Sequence, residues 1–248
     1  MQTIYILWIR QIKRYYRSKS RIVGALGQPL LFLVALGFGF GPVFQQAGQG
    51  NYLEFLAPGV VAMSIIFSAV FSGMEIIFDR QFGFLKETLV APVSRFNIML
   101  GRTLGGATVS TAQGIIVILL ALIFGFRFYS LAMIPLAVLF MFLIALLFTA
   151  IGTAIGSALK DFQGFQLIVN FFIMPLFFLS GAIFPLSSAP STLKNIALFD
   201  PLTYGVDGLR FALAGIGQFS LLTDLGALLV LSFIAISVGA YSFSKIQI

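Results

Sequence analysis

Six apolar stretches, each long enough to cross a lipid bilayer and almost free of charge, follow one another along the sequence and restrict its fold more than any other feature. They run approximately over 22–42, 55–77, 98–124, 131–158, 165–185 and 224–244. A hydrocarbon layer of about 30 Å is crossed by roughly 20 residues of helix. Inside it every backbone N–H and C=O must be paired within the protein, so a single-chain span of this kind is helical. Only 9% of the residues are charged and the mean hydropathy is +1.04, against about 25% charged residues in soluble domains. The segments between the runs are too short to build a soluble domain. The expectation is an all-α integral membrane protein, with residues 1–248 forming one transmembrane domain of six helices.

The spans are informative for what they lack. Residues 22–42, 55–74, 103–126, 131–159, 165–193 and 225–244 contain no Asp, Glu, Lys, Arg or His. Ion-coupled transporters place ionisable groups near the membrane midplane to carry the coupling charge, and no such relay exists here. Glu75 and Asp79, one helical turn apart at the end of the second span, read instead as a salt-bridged or solvated helix end near Arg80 and Arg95. Cysteine and histidine are both absent, which removes thiolate and imidazole chemistry and the usual zinc ligands. No metal site, catalytic residue or bound cofactor is therefore expected in the chain. A phosphate-binding loop is also missing: GRTLGGAT at 101–108 has glycines but lacks the Lys-Ser/Thr pair. Energy for uphill movement would have to come from outside the chain, with any nucleotide site on another polypeptide.

Orientation follows from the basic residues. Twelve of the fifteen Lys and Arg fall before the first span, between spans two and three, after span four or after span six; Arg127, Lys194 and Arg210 fall on the other side. The positive-inside rule then puts both termini in the cytoplasm and the protein in the cytoplasmic membrane. The net charge of +7 is ordinary for such a protein and calls for no nucleic acid. Residues 1–21 carry Ile4, Trp8, Ile12 and Tyr15 near helical spacing, with the cations mostly on other faces. This is the pattern of an interfacial helix, its aromatic rings at headgroup depth and its cations toward anionic lipid.

Between spans two and three, residues 78–92 make a short amphipathic helix. Phe78, Phe82, Leu85 and Leu89 recur at i, i+4, i+7 and i+11, while Asp79, Arg80, Lys86 and Glu87 lie off that stripe. Pro92 forbids continuation, and Ser94 is placed to cap the next helix. A short helix held at both ends by membrane spans acts as a lever for a cytoplasmic partner.

The run LKETLVAPVSRFNIMLGRTLGG resembles the cytoplasmic signature of ABC-2 type permeases, the membrane subunits of ATP-binding-cassette exporters. A second likeness follows the fifth span, where NFFIMPLFFLSGAIFPL leads into a P-L-T-Y-x-V-D-x-x-R stretch formed by Pro201, Leu202, Thr203, Tyr204, Val206, Asp207 and Arg210. With the six-span plan, the two matches cover essentially the whole chain. The branch they resemble is that of small drug and glycolipid exporters of the daunorubicin-resistance type. This resemblance implies a permease dimer, with two separate ATPase subunits that carry the ATP and Mg. It implies that 78–92 is the coupling helix that docks on the ATPase through Phe82, Leu85, Lys86, Glu87, Leu89 and Arg95. It also implies that 186–220 forms re-entrant external helices. Apolar Leu193, Ile196 and Phe211 suit such a segment, whereas Pro201, Asp207 and Arg210 prevent a full crossing.

For the transport path, span five offers Gln166 and Asn170 among Phe171, Phe172 and Phe178, with Pro175 to bend the helix. Amides in hydrocarbon face other helices, because unsatisfied ones cost several kcal/mol on the order of 2–7; a dimer interface or central cavity beside span five accounts for them, as does plain interhelical bonding. Gly37 with Gly41, Gly101 with Gly105, and Gly152 with Gly156 are small-xxx-small pairs that permit close helix packing. The functional expectation is a permease that exports an amphipathic or hydrophobic cargo: a drug-like molecule, a lipid or a lipid-linked glycan. A passive channel or scaffold whose residues 78–95 merely lie on the membrane is the alternative, and a lipid-acting membrane enzyme conflicts with the charge-free spans.

Overall fold

The computed structural model describes residues 2–47, 50–90 and 92–246, without the side chains of Lys86 and Leu89. It is helical, with no strand among the described residues. Six helical stretches, Lys19–Gln46, Tyr52–Gln81, Arg95–Ile123, Leu131–Ala158, Phe162–Leu179 and Leu221–Ser244, are long and apolar enough to cross a membrane. They coincide with the six expected spans to within a few residues at most ends.

The N-terminal segment is two helices, α1 (Gln2–Arg17) and α2 (Lys19–Gly24), followed by the first span, α3 (Gly27–Gln46). The second span consists of α4 (Tyr52–Ser72) and α5 (Met74–Gln81), joined at Gly73. A short helix, α6 (Phe84–Val90), precedes the third span, α7 (Arg95–Ile123), and the fourth is α8 (Ile134–Ala158). Span five is interrupted: α9 (Phe162–Ile168) passes through a π-helical stretch, Val169–Ile173, into α10 (Met174–Leu179). Two helices outside the spans, α11 (Ser191–Ala197) and α12 (Pro201–Ala214), lead to the last span, α13 (Leu221–Ser244).

The centre of the bundle is α4, almost wholly buried from Tyr52 to Val70, with α7, α8 and α12 packed around it. Its fit to α8 depends on glycine. A Cβ on Gly73 would lie 2.0 Å from the carbonyl oxygen of Gly152, and one on Gly156 would lie 2.2 Å from that of Gly73. The two backbones touch, as small-xxx-small packing allows. Gly101 and Gly105 are used differently, since their faces meet Ile4, Leu7 and Gln11 of α1 rather than another span. Gly41 meets no neighbour within 4 Å, so the Gly37–Gly41 pair makes no such seam within the chain.

Two expected elements differ in form. Residues 78–92 are not one helix. The second span runs on to Gln81, Gly83 takes φ +81°, and α6 starts at Phe84. A left-handed glycine redirects the chain, so the expected stripe cannot stay on one face. Span five ends at Leu179 rather than near 185, because Gly181 turns the chain at φ +74°.

A candidate coupling site at the arginine-rich end of the bundle

At the end where α5, α6 and the start of α7 meet, two buried carboxylates organise the surroundings. Asp79 bonds to Arg102 of α7, and Arg10 of α1 lies 3.9 Å from its other oxygen. Glu75, one turn earlier, pairs with Arg21 at 2.8 Å and Arg14 at 3.4 Å. The acids and Arg102 are each no more than 6% exposed. The expected salt-bridged helix end is present, but its partners come from α1, α2 and α7 rather than from Arg80 and Arg95. Arg80 instead donates to the carbonyls of Leu159 and Ser157 at 2.7 and 2.9 Å, completing the C-terminal end of α8.

Helix α1 is thus held against the bundle as well as being amphipathic. Its small-residue groove on α7 at Gly101 and Gly105 lets the backbones approach. Trp8 Nε1 donates to Thr108 Oγ1 at 2.9 Å, and the Tyr15 hydroxyl donates to Gln113 Oε1. A signal for this network was present in the sequence. Glu75 and Asp79 are an i, i+4 pair of acids in a segment surrounded by arginines, which selects one face of α5 for a cationic partner. Which arginines answer it depends on tertiary packing, and Arg102 was legible only as a positive charge beside a span.

The expected coupling residues separate into distinct settings. Phe82 is 68% exposed and stacks on Phe78, whose ring packs 4.2 Å from that of Phe162. Leu85 is buried at 2% exposure, anchoring α6 to the bundle. Glu87 is exposed. Lys86 and Leu89 belong to the expected set, but their side chains lie outside the described residues, as does Ala91. Ser94 caps α7 as expected, accepting from Asn97 N at 3.2 Å. Arg95 is exposed, yet its guanidinium donates to the carbonyls of Ser244 and Ile246, the latter at 2.9 Å. It closes the end of α13 and binds the two ends of the chain's last four spans together.

At the opposite end of α4, the segment after span five is built around Arg210. The guanidinium is 3% exposed, donates to the carbonyls of Phe55 and Gly181 at 3.2 and 2.9 Å, and lies 3.9 Å from the centre of the Phe55 ring. Burial pulls its pKa down to about 10, opposed by the nearby Asp207 carboxylate. Asp207 receives the N–H groups of Gln218 and Phe219, each at 2.9 Å. Pro201 starts α12 behind the cap Asp200, which accepts from Leu202 N at 2.8 Å. Tyr204 donates to Leu198 O at 2.8 Å. These four residues, expected in a re-entrant segment, stand in one helix packed against α4 and α8, with Gly205 and Gly208 facing Ile144 and Phe140.

Span five presents the opposite picture. Gln166, Asn170, Phe171, Pro175 and Phe178 are all exposed, Phe171 to 78%. No hydrogen bond satisfies Asn170 or Gln166 among the described residues, so bonding within this chain does not account for the amides. Pro175 lacks an N–H to give to the preceding turn, and the π-helical stretch before it absorbs the resulting mismatch.

Comparison with known proteins agrees with this architecture. The family profile described as ABC-2 type transporter matches residues 2–214. The chain is 29% identical over 246 residues to the putative transport permease ycf38 of Cyanophora paradoxa, covering 96% of this chain and 82% of that protein. It is 28% identical over 227 residues to the inner membrane transport permease YadH of Escherichia coli strain K12, covering 90% and 88% of the two chains. Nodulation protein J of Rhizobium leguminosarum bv. trifolii is 27% identical over 230 residues, covering 90% of this chain and 87% of its own.

Proposed function

We propose, for a chain that belongs to the ABC-2 type transporter family, that it is the permease half of an exporter driven by a separate ATPase. It is a multi-pass transport permease of the cytoplasmic membrane. The ATPase bears ATP and Mg and does the hydrolysis, and this chain supplies no catalytic residue. Two ATPase subunits would serve two copies of the permease, with an amphipathic or hydrophobic cargo moving outward and both termini in the cytoplasm.

The observation that carries this reading is the setting of α6. This short helix is suspended between spans two and three, anchored by buried Leu85 while Phe82 and Glu87 face outward. Immediately beside it the buried Glu75 and Asp79 pairs lock α5, α7 and α1 together. A push on α6 is therefore delivered to spans two and three, and to α1, as one body. The exposed amides and phenyl rings of span five support a second copy, or a shared path, against that face. The segment 186–220 would close the outer end of the path by dipping into the outer leaflet.

The test is co-purification with the ATPase encoded beside the gene and measurement of ATP turnover. Phe82→Asp and Glu87→Lys alter exposed positions and leave the bundle intact. Leu85→Asp is unsuitable, because Leu85 is buried within the chain itself. Loss of assembly or of permease-stimulated turnover in the first two variants is the expected result. A wild-type chain that recruits no ATPase would leave a passive channel or scaffold as the better reading.

A further inference from the structure

Where spans two, four and six end together, a notch of about 370 Å³ opens between α5, α8 and α13. Its volume lies within the usual range for ligand sites, roughly 300–1,000 Å³. Arg80, Lys160 and Lys245 line it with the hydroxyl-bearing Tyr241 and Ser242, and no carboxylate does. Asp161, next to Lys160 in the chain, is turned to α9, which it caps by accepting from Gly164 N at 2.6 Å. Cations near helix C-termini often do no more than offset the last carbonyls and the dipole. Here Arg80 already fills that role for α8, at the carbonyls of Ser157 and Leu159, and Arg95 for α13, at those of Ser244 and Ile246. Lys160 and Lys245 are left over. Both are exposed, and neither pairs with a carboxylate among the described residues. Lys245 Nζ instead sits 4.4 Å from the centre of the Tyr241 ring.

We infer that this notch binds the phosphate of an anionic phospholipid, in the cytoplasmic leaflet if the chain is oriented as proposed above. Its depth agrees with that ligand. Lys160 follows the end of span four by two residues and Lys245 follows that of span six by one, so both ammonium groups stand at headgroup level. Tyr241, one turn inside, is placed where tyrosines collect at a membrane interface. From Tyr241 an exposed apolar stripe, Val238, Ile234 and Val230, runs along α13. It covers about 16 Å at 1.5 Å per residue, the depth of one leaflet in a hydrocarbon layer of about 30 Å. The acyl chains lie along this stripe, and the notch holds only the headgroup. Basic pockets between transmembrane helices recognise anionic headgroups in this way. Lysines without a neighbouring acid also select against zwitterionic lipids, whose own cation they repel. Such a lipid ties the ends of α8 and α13 together without being cargo.

The test needs no ATPase, so its failure is separate from that of the coupling reading. Val238→Trp in a Trp8→Phe background puts the only indole on the stripe, at an exposed position. The protein is reconstituted in dioleoyl phosphatidylcholine with a small fraction of phosphatidylglycerol whose chains are dibrominated and quench an indole they touch. Dibrominated phosphatidylcholine is the reference. Phosphatidylglycerol should be preferred roughly twentyfold, about fivefold for each lysine. Lys160→Gln and Lys245→Gln should each lower the preference about fivefold, and the two together should remove it. Lys13→Gln/Lys19→Gln takes the same charge from exposed positions on α1 and α2 and should leave the preference in place. Four results would overturn the inference. They are equal quenching by the two lipids, a preference that survives loss of Lys160 and Lys245, an equal loss in the α1 and α2 control, and relief of quenching by inorganic phosphate where chloride at the same ionic strength has no effect.

Discussion

The pair between Asp79 and Arg102 allows a quantitative test of how α1, α5 and α7 are held together. Asp79→Leu leaves the Arg102 guanidinium buried at 5% exposure with no carboxylate, and its Nε is already unpartnered. Breaking a buried pair from one side in this way costs about 3–5 kcal/mol. Arg102→Met is a milder change, because Asp79 keeps Arg10 at 3.9 Å, whose side chain is 45% exposed and reaches water. About 1–2 kcal/mol is the expected loss, the scale of one charge-assisted hydrogen bond. In Asp79→Leu/Arg102→Met both charges are gone, and well-packed apolar replacements of buried pairs are often neutral, within about 1 kcal/mol. The singles together therefore exceed the double, with an interaction energy of at least about 3 kcal/mol. Unfolding by SDS in mixed micelles measures it, with circular dichroism for the bundle and fluorescence of Trp8, the only tryptophan, for α1. Single and double losses that add to within about 0.5 kcal/mol would show that the pair does not hold these helices.

Gly152→Ala places a methyl group 2.5 Å from the Val70 carbonyl oxygen and 2.8 Å from its Cα, so the backbones of α4 and α8 must separate. A loss of about 1–3 kcal/mol follows, read as a lower midpoint in the same assay, whereas Gly226→Ala, with nothing within 4 Å, should be neutral or slightly stabilising. Burial pushes the Asp200 carboxyl up to about 7, against the Leu202 N–H bond that lowers it. Because this value is raised above that of the unfolded chain, the folded protein binds the extra proton between about pH 4 and 7. Stability therefore falls as pH rises through that window, by at most about 4 kcal/mol. Asp200→Asn keeps the cap and should flatten this part of the pH profile between pH 5 and 8; an unchanged slope would exclude Asp200 as its source.

The number of spans and most of their limits were legible in the sequence, because hydrocarbon thickness and backbone pairing act residue by residue. The cap at Ser94 and the stop before Pro92 were equally local. The helical stripe through Phe78, Phe82, Leu85 and Leu89 failed for a local reason as well: periodicity counts angles along an unbroken helix, and Gly83 breaks it. Arg210 shows the other kind of limit. It reads as a charge that keeps a segment from crossing, yet it is buried, because carbonyls from residues 55 and 181 converge on it from distant parts of the chain. Asn170 and Gln166 are exposed because span five packs through Phe165, Val169, Ile173 and Phe177, a face that tertiary packing selects.

The two polar clusters lie toward opposite ends of one helix. Tyr52–Gln81 carries Tyr52 and Phe55 near its start, where Tyr52 donates to Ile183 O at 3.0 Å and the Phe55 carbonyl accepts from Arg210. Glu75 and Asp79 occupy its other end, about 30 Å away at 1.5 Å per residue. Between them the glycine seam presses the helix against α8, which leaves little freedom to bend. Movement delivered near α6 therefore has a stiff route to the segment around α12. Arg210→Met tests whether that route is one cooperative unit. It keeps the apolar stem but strands the carbonyl of Gly181, while the Phe55 carbonyl keeps its place in the α4 ladder, at an expected cost of about 1–3 kcal/mol for one buried acceptor. Arg210→Lys retains the charge without the fork and should recover only part of this. If the helix is one unit, Trp8 fluorescence, remote from the mutation, will shift its midpoint together with the circular dichroism signal. A circular dichroism loss that precedes an unmoved Trp8 transition would mean that the ends unfold separately, and the stiff-route argument would fail.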